Sequence, residues 1–333
     1  MRIGVISQNL SELKISPNLN EPAIISLSPD IYVEMTQEDG RPPSKEPIIN
    51  KTLLNNYEHL ITVSLNGGQQ TKQNIQTNIY IKPNSPYEVV AAGKEIIAPK
   101  DSQFRLGLQK IAKALHSGFG YSKGMVYVKI KTPKQPLLFI NMHLPVKTAT
   151  VNGVLKNASL GLEFRKESFF KLFVKLEQHG ILQDNPAILV SGDLNFRMDR
   201  YGKDQLTEII KEEPNRILNL KEMWQPDGEK RITCKFTKKN TACRLRKIPQ
   251  SNVEAFLEDI QENCGNSMRV PSRCDRFLIS RNIPISIQLN TTKYLVEDSD
   301  HNAILTCYDF LEKQKNSNNR RLRTFKAKRR ISV

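Results

Sequence analysis

The chain has 333 residues and a formal net charge of +16 at pH 7, and 38% of its residues are hydrophobic. That length holds one large core or two ordinary domains, and no run approaches the roughly 20 apolar residues of a membrane span. Five cysteines, odd in number and without a CxxC pair, argue against a disulfide framework or a zinc ribbon and point to a reducing, intracellular compartment.

The opening "MRIGVISQNL" is too short and too polar for a secretory signal and reads as a first core strand over 2–6. Further short apolar or alternating runs predict strands at 30–35, 60–65, 75–81, 125–131, 137–141, 187–191, 276–280 and 303–307. Three-to-four spacing predicts helices at 102–115 and 160–179. The second sets Leu162, Phe169, Phe173 and Leu176 on one face, with Gly180 as its stop. Shorter helices are expected at 204–212, 215–223 and 253–262, and loops at 40–50 and 237–251. Many strands with a few helices between them describe a layered α/β protein. Residues 1–310 read as one catalytic domain with an insertion over about 237–268. The last stretch, 311–333, contains nine Lys/Arg and one Glu and has little apolar periodicity, so it is expected to be a disordered tail. Such a tail suits an anionic membrane leaflet, nucleic acid or a nuclear import receptor.

Polar residues gather where apolar runs stop. In "AILVSGDLNFR" (187–197) the run ends on Asp193 and Asn195, which share a face if the strand persists to its tip. A polar turn capping the strand is the alternative. Asn9, Glu38, His143, Asp275, Asp300 and His301 flank other runs in the same way. Glu38 and Asp300 are hard oxygen ligands of the kind Mg²⁺ takes. His301 has the range for proton transfer, and His143 and Asn195 are donors fit for a phosphoryl oxygen. No Cys/His spacing supports zinc, and neither a P-loop nor a C-x5-R phosphatase signature is present.

These segments resemble the inositol polyphosphate 5-phosphatases of the endonuclease/exonuclease/phosphatase superfamily. Gly192 to Arg197 matches G-D-[LF]-N-[YF]-R, and "RVPSRCDRFL" at 269–278 matches [RN]-x-P-[SA]-[WY]-C-D-R-[IV]-L, departing at Arg273 and Phe277. "PDIYVEMTQE", "GYSKGMV" (Ser122 in place of Asn), "INMHLP", "ITCKF" and "SDHNAI" follow in the family's order, so the likeness spans residues 3–307. The resemblance implies a DNase-I-like four-layer sandwich, two mixed β-sheets packed face to face and flanked by helices. It implies a Mg²⁺-dependent phosphatase that removes the 5-phosphate of phosphoinositides or soluble inositol polyphosphates. Glu38 would hold the metal, with Asn9 and Asp300 beside it. His301, oriented by Asp275, would activate water or stabilise the transition state, and Asp193 would orient the water. Asn195 and His143 would grip the scissile phosphate, Lys123 and Lys235 would meet the substrate's phosphates, and Arg276 is assigned to those phosphates, with a scaffold ion pair as its alternative. Arg197 is assigned to the scaffold, and Arg273 keeps a side chain suited to an anionic ligand. A nuclease of the same superfamily, favoured by the basic charge, and an inactive phosphoinositide-binding scaffold are the alternatives. The expected location is cytoplasmic, with peripheral membrane contact or nuclear entry through the tail.

Overall fold

Two crossovers organise the molecule. In the computed structural model β1 (Arg2–Asn9) and β2 (Ile31–Asp39) run parallel, as do β7 (Leu137–His143) and β8 (Ala187–Asp193). Parallel neighbours need a connection that returns to the same end, commonly through a helix. Here the returns carry α1 (Pro22–Ile25) and α2 (Ala158–Gln178). The structure describes residues 1–11, 22–40, 56–65, 74–97, 123–145, 158–197, 204–213, 218–223, 251–263, 273–281, 283–293 and 299–311, with 233, 246, 249 and 295. Among the described residues no helix is long and apolar enough to cross a membrane.

All other pairings are antiparallel. The remaining strands are β3 (Glu58–Leu65), β4 (Asn74–Ile81), β5 (Glu88–Ile96), β6 (Gly124–Lys131), β9 (Leu220–Glu222), β10 (Asp275–Ser280), β11 (Ile285–Lys293) and β12 (Ala303–Phe310). One six-stranded sheet has the order β11-β12-β1-β2-β4-β3 and the other β5-β6-β7-β8-β10-β9. The central strands are buried on both faces, so they read as continuous apolar runs. Ile3, Val5, Val33, Phe139, Leu189 and Phe277 meet between the sheets. Leu138, Ile140, Val190 and Leu278, on the opposite pleat, pack under Phe169, Phe173 and Leu176 of α2. Phe277, where the resembled family has Ile or Val, fills the inter-sheet core against Tyr308 with ring centroids 6.2 Å apart. The fold is the expected DNase-I-like sandwich.

The long helix matches its expected span, and Gly180 ends it with φ +70°. Two further helices, α3 (Gln205–Glu212) and α4 (Val253–Asn263), also lie where the spacing put them. The helix expected over 215–223 is corrected: 220–222 form β9, which is hydrogen-bonded to β10 at the sheet edge. Leu220 is pulled into the core there and Glu222 into a buried ion cluster, so tertiary contacts override a marginal local pattern. Strands β5 and β11 escaped the sequence reading. Both are edge strands, half exposed and mixed in polarity, so neither carries a clear apolar run. The helix expected over 102–115, most of the 40–50 loop and 312–333 lie outside the described residues.

Candidate active site

The inter-sheet core turns polar as it nears one edge. Along β1, β2, β7 and β8 the inward positions run from Val5, Val33, Phe139 and Leu189 to Ser7 and Asn9, Gln37, Asn141 and His143, and Ser191 and Asp193. Strand alternation alone produces this column. Gln37 Nε2 donates to Asn141 Oδ1 at 2.7 Å and so ties the two sheets together below the rim. Neither residue stood out in the sequence, although Gln37 adjoins Glu38 and Asn141 lies two residues before His143. Because the parallel pairs end in register (Asn9 beside Gln37, His143 beside Asp193), their terminal side chains share one edge. Asp275 opens β10 directly opposite Asp193, and His301 lies two residues before the start of β12.

Two residues leave the strand geometry to reach this edge. Alternation would turn Glu38 outward, with Tyr32 and Glu34. Instead β2 shifts register between Thr36 and Asp39, and Glu38 has φ +48°. A bulge of this kind re-aims a side chain, and Glu38 Oε1 lies 3.3 Å from Lys123 Nζ and 3.5 Å from His143 Nε2. Asn195 is the second. The strand stops at Asp193, so the shared-face expectation is replaced by a turn: Asn195 has φ +53°, and its backbone N–H donates to Asp193 Oδ1 at 3.0 Å. Its Nδ2 donates to Leu144 O at 2.8 Å, while its buried Oδ1 has no hydrogen-bond partner among the described residues. Gly192 makes the approach possible. It has φ +135°, and a Cβ there would lie 2.0 Å from Met142 O.

The groups form a connected array. Asp275 Oδ2 accepts from His301 Nδ1 at 2.8 Å, which turns Nε2 toward Asp193 Oδ2 (3.9 Å) and Asp300 Oδ1 (3.6 Å). Asp193 Oδ2 also accepts from Asn9 Nδ2 at 3.1 Å and lies 3.5 Å from His143 Nε2. Lys123 Nζ sits against the His143 ring, 3.2 Å from Nδ1. Thr233, half-hidden in "ITCKF", accepts the Cys274 and Asp275 N–H groups on its Oγ1, each at 3.0 Å. Ser299 Oγ accepts the His301 N–H at 3.0 Å and donates to Asn9 O at 2.6 Å. Both are hydroxyls that hold a catalytic-type residue by its backbone, a role that composition does not reveal.

Burial sets the electrostatics. It pushes the Glu38 carboxyl up, but Lys123, then His143 and His301, outweigh it and hold the group below the usual carboxylate range. Burial and then Lys123 push His143 below the usual imidazole range, against Asp193 and Glu38. Burial keeps the Asp275 carboxyl above its ordinary range despite His301. A neutral His143 has a consequence for stability. Its unfolded counterpart takes up a proton below about pH 6.5, so the unfolded chain binds more protons there and stability falls on acidification through that value. Thermal unfolding at about pH 7.5 and about pH 5.5 should therefore show a smaller acid loss in His143→Gln than in the wild type.

A family model described as "Endonuclease/Exonuclease/phosphatase family 2" matches residues 6–306. The chain belongs to that family. A probable inositol polyphosphate 5-phosphatase of Schizosaccharomyces pombe is 26% identical over 217 residues, 61% of this chain but 17% of that protein, so the match covers under a fifth of the relative's length. Among solved structures, the inositol polyphosphate 5-phosphatase domain of SPsynaptojanin, in complex with inositol (1,4)-bisphosphate and calcium ion, aligns with TM-score 0.56 and 18% identity over 98% of this chain and 92% of that one. A Cimex nitrophorin ferrous NO complex aligns with TM-score 0.52 and 14% identity, over 92% and 97% of the two chains. The fold is thus shared by proteins of different chemistry, and the site has to supply the function.

In this family member Arg276 corrects the expectation that it meets substrate. Consecutive strand residues face opposite ways, so Asp275 looks into the site while Arg276 looks behind it. It is fully buried, with Nη2 2.8 Å from Asp204 Oδ2 and Nη1 2.9 Å from Glu222 Oε1. Arg273 is likewise turned inward, with Nη2 2.9 Å from Glu222 Oε1. Lys123 is at the site, and Lys235 lies outside the described residues. Arg197 donates its backbone N–H to Gln205 Oε1 at 3.0 Å.

Proposed function

We propose that the protein is a Mg²⁺-dependent phosphatase that removes the 5-phosphate of phosphoinositides or soluble inositol polyphosphates by direct attack of water. The observation that carries this reading is the Asp275–His301 pair directed at Asp193 beside His143, Asn195 and Lys123. Asp193 Oδ2 and His301 Nε2 lie 3.9 Å apart, a separation that one water can bridge. We assign the proton of that water to Asp193. His301, its tautomer held by Asp275, meets the phosphoryl oxygens as charge builds on them, with His143 and the Asn195 amide on the same group. The water oxygen joins phosphorus as the bond to the inositol oxygen breaks, and the departing oxygen takes up a proton from solvent to leave as a hydroxyl, so the demand on the protein is placement and charge neutralisation.

Among the described residues no three His, Cys, Asp or Glu side chains are grouped to hold a metal by themselves. The donor set still fits Mg²⁺, which commonly takes one or two carboxylates and completes its shell with water and substrate phosphate. Glu38, ionised and half-buried at the rim, with Asp300 and the Asn9 amide, supplies oxygens of that kind. When bound, the ion would offset charge on the transferring phosphate.

The phosphatase reading is favoured over the nuclease by "RVPSRCDRFL", by Lys123 in the site and by the S. pombe relative. The excess of +16 and the tail at 311–333 fit peripheral contact with an anionic membrane in the cytoplasm. Phosphate release from 4,5-bisphosphorylated phosphatidylinositol, its 3,4,5 counterpart and soluble 1,4,5-trisphosphate should require Mg²⁺ and stop with EDTA. An abasic-site duplex run alongside should stay intact. Nicking of the duplex without phosphate release would move the protein to the nuclease reading.

A further inference from the structure

We infer that Ser11 is a positioning residue that holds Asn9 and Asp300 in the orientation in which they meet the metal; this rests on the Mg²⁺ reading above. Ser11 follows β1 and has φ +51°, a conformation that glycine adopts freely and a residue with a Cβ adopts at a cost. Three elements of the site rim share this feature, since Glu38 and Asn195 are also left-handed.

The contacts show what Ser11 does there. Its backbone N–H donates to Asn9 Oδ1 at 2.9 Å. With Asn9 Nδ2 already on Asp193, this determines which way round the Asn9 amide sits. The Ser11 hydroxyl grips Asp300 twice, donating to Oδ1 at 2.6 Å and accepting the Asp300 N–H at 3.2 Å. It also lies 3.3 Å from Ser299 Oγ, the group that holds the His301 N–H and Asn9 O. One small side chain therefore joins the end of the first strand to a loop 289 residues further along the chain. Partners that orient metal-binding groups from behind commonly alter metal affinity by 10–100-fold when removed.

The left-handed backbone separates a structural role from a positioning one. Ser11→Gly removes the hydroxyl but also relieves the backbone, and it keeps the N–H to Asn9. Ser11→Ala removes the hydroxyl and keeps the backbone cost. Mg²⁺ alone is titrated against each variant and the wild type, following the rise in melting temperature, and phosphate release is then measured against Mg²⁺ concentration. Both variants should need roughly tenfold more Mg²⁺ in both assays. In EDTA, Ser11→Gly should melt no lower than the wild type. Ser11→Asn, which tolerates the left-handed region and carries a donor, should recover part of the loss. Wild-type Mg²⁺ midpoints in both the Gly and Ala variants would overturn the inference while leaving the phosphatase reading intact. So would a Gly variant whose loss of Mg²⁺ affinity is matched by a lower melting temperature in EDTA. A wild type that neither responds to Mg²⁺ nor releases phosphate would overturn both.

Discussion

His301→Ala should lower kcat for phosphate release by about 10²–10⁴-fold, the range in which a positioned proton-transfer or charge-stabilising group contributes. The imidazole is fully buried, so its placement comes from partners rather than from solvent. Asp275 takes Nδ1, Ser299 holds the backbone N–H, and Nε2 is left facing Asp193 and Asp300. A group held this way acts on charge that develops during the reaction, so the loss should fall on kcat with KM little changed. Asp275→Asn should reproduce much of it, since an amide that can donate as well as accept no longer fixes the imidazole tautomer as the acceptor-only carboxylate does. The double variant should be scarcely worse than His301→Ala alone, because the two act as a unit. Steady-state kinetics on the soluble trisphosphate checks all three. If His301→Ala keeps most of the wild-type kcat, the assignment falls.

Arg276→Met should destabilise the fold by about 3–5 kcal/mol, the cost of breaking a buried ion pair from one side. Four charges lie together behind the site: Arg276 and Arg273 against Asp204 and Glu222. Burial works against the Arg276 charge, yet Asp204 and Glu222 outweigh it and raise its pKa further. Its Nε also donates to Arg273 O at 2.8 Å and its Nη2 to Phe196 O at 3.3 Å, so the whole fork is engaged. Lysine at 276 should rescue little, because a point charge cannot reproduce that fork. Arg273 is the weaker member. Burial dominates there and draws its pKa down to about 10, so Arg273→Met should cost less than Arg276→Met. Asp204 has a second task, since its Oδ1 accepts the Leu206 and Thr207 N–H groups at the start of α3. Burial raises its carboxyl, but Arg276 and Arg273 bring it below the ordinary range. Its contribution is therefore complete above the unfolded value of about 3.9 and is lost only as pH falls through the folded one. Urea unfolding at neutral pH ranks the variants. An Arg276→Met protein as stable as the wild type would mean that the cluster contributes nothing net.

The amino-acid sequence by itself determined nine of the twelve described strands, the long helix and many of the rim residues. Runs such as "LLFINMH" and "AILVSGD" state both that a strand is buried and where burial ends, because apolar patterning is a local property. Alternation by itself also sends Asp275 and Arg276 to opposite faces. What only the tertiary structure decided was who meets whom. Glu38 and Asn195 reach the site through left-handed residues that no pattern of apolar spacing announces. Glu222 forms a strand rather than a helix because two arginines 51 and 54 residues away share its carboxylate. Ser11 becomes part of the site only when the first strand pairs with the last. Periodicity records which face of an element is buried, whereas hydrogen-bond and ion-pair partners depend on long-range register, and register exists only once the two sheets have closed on each other.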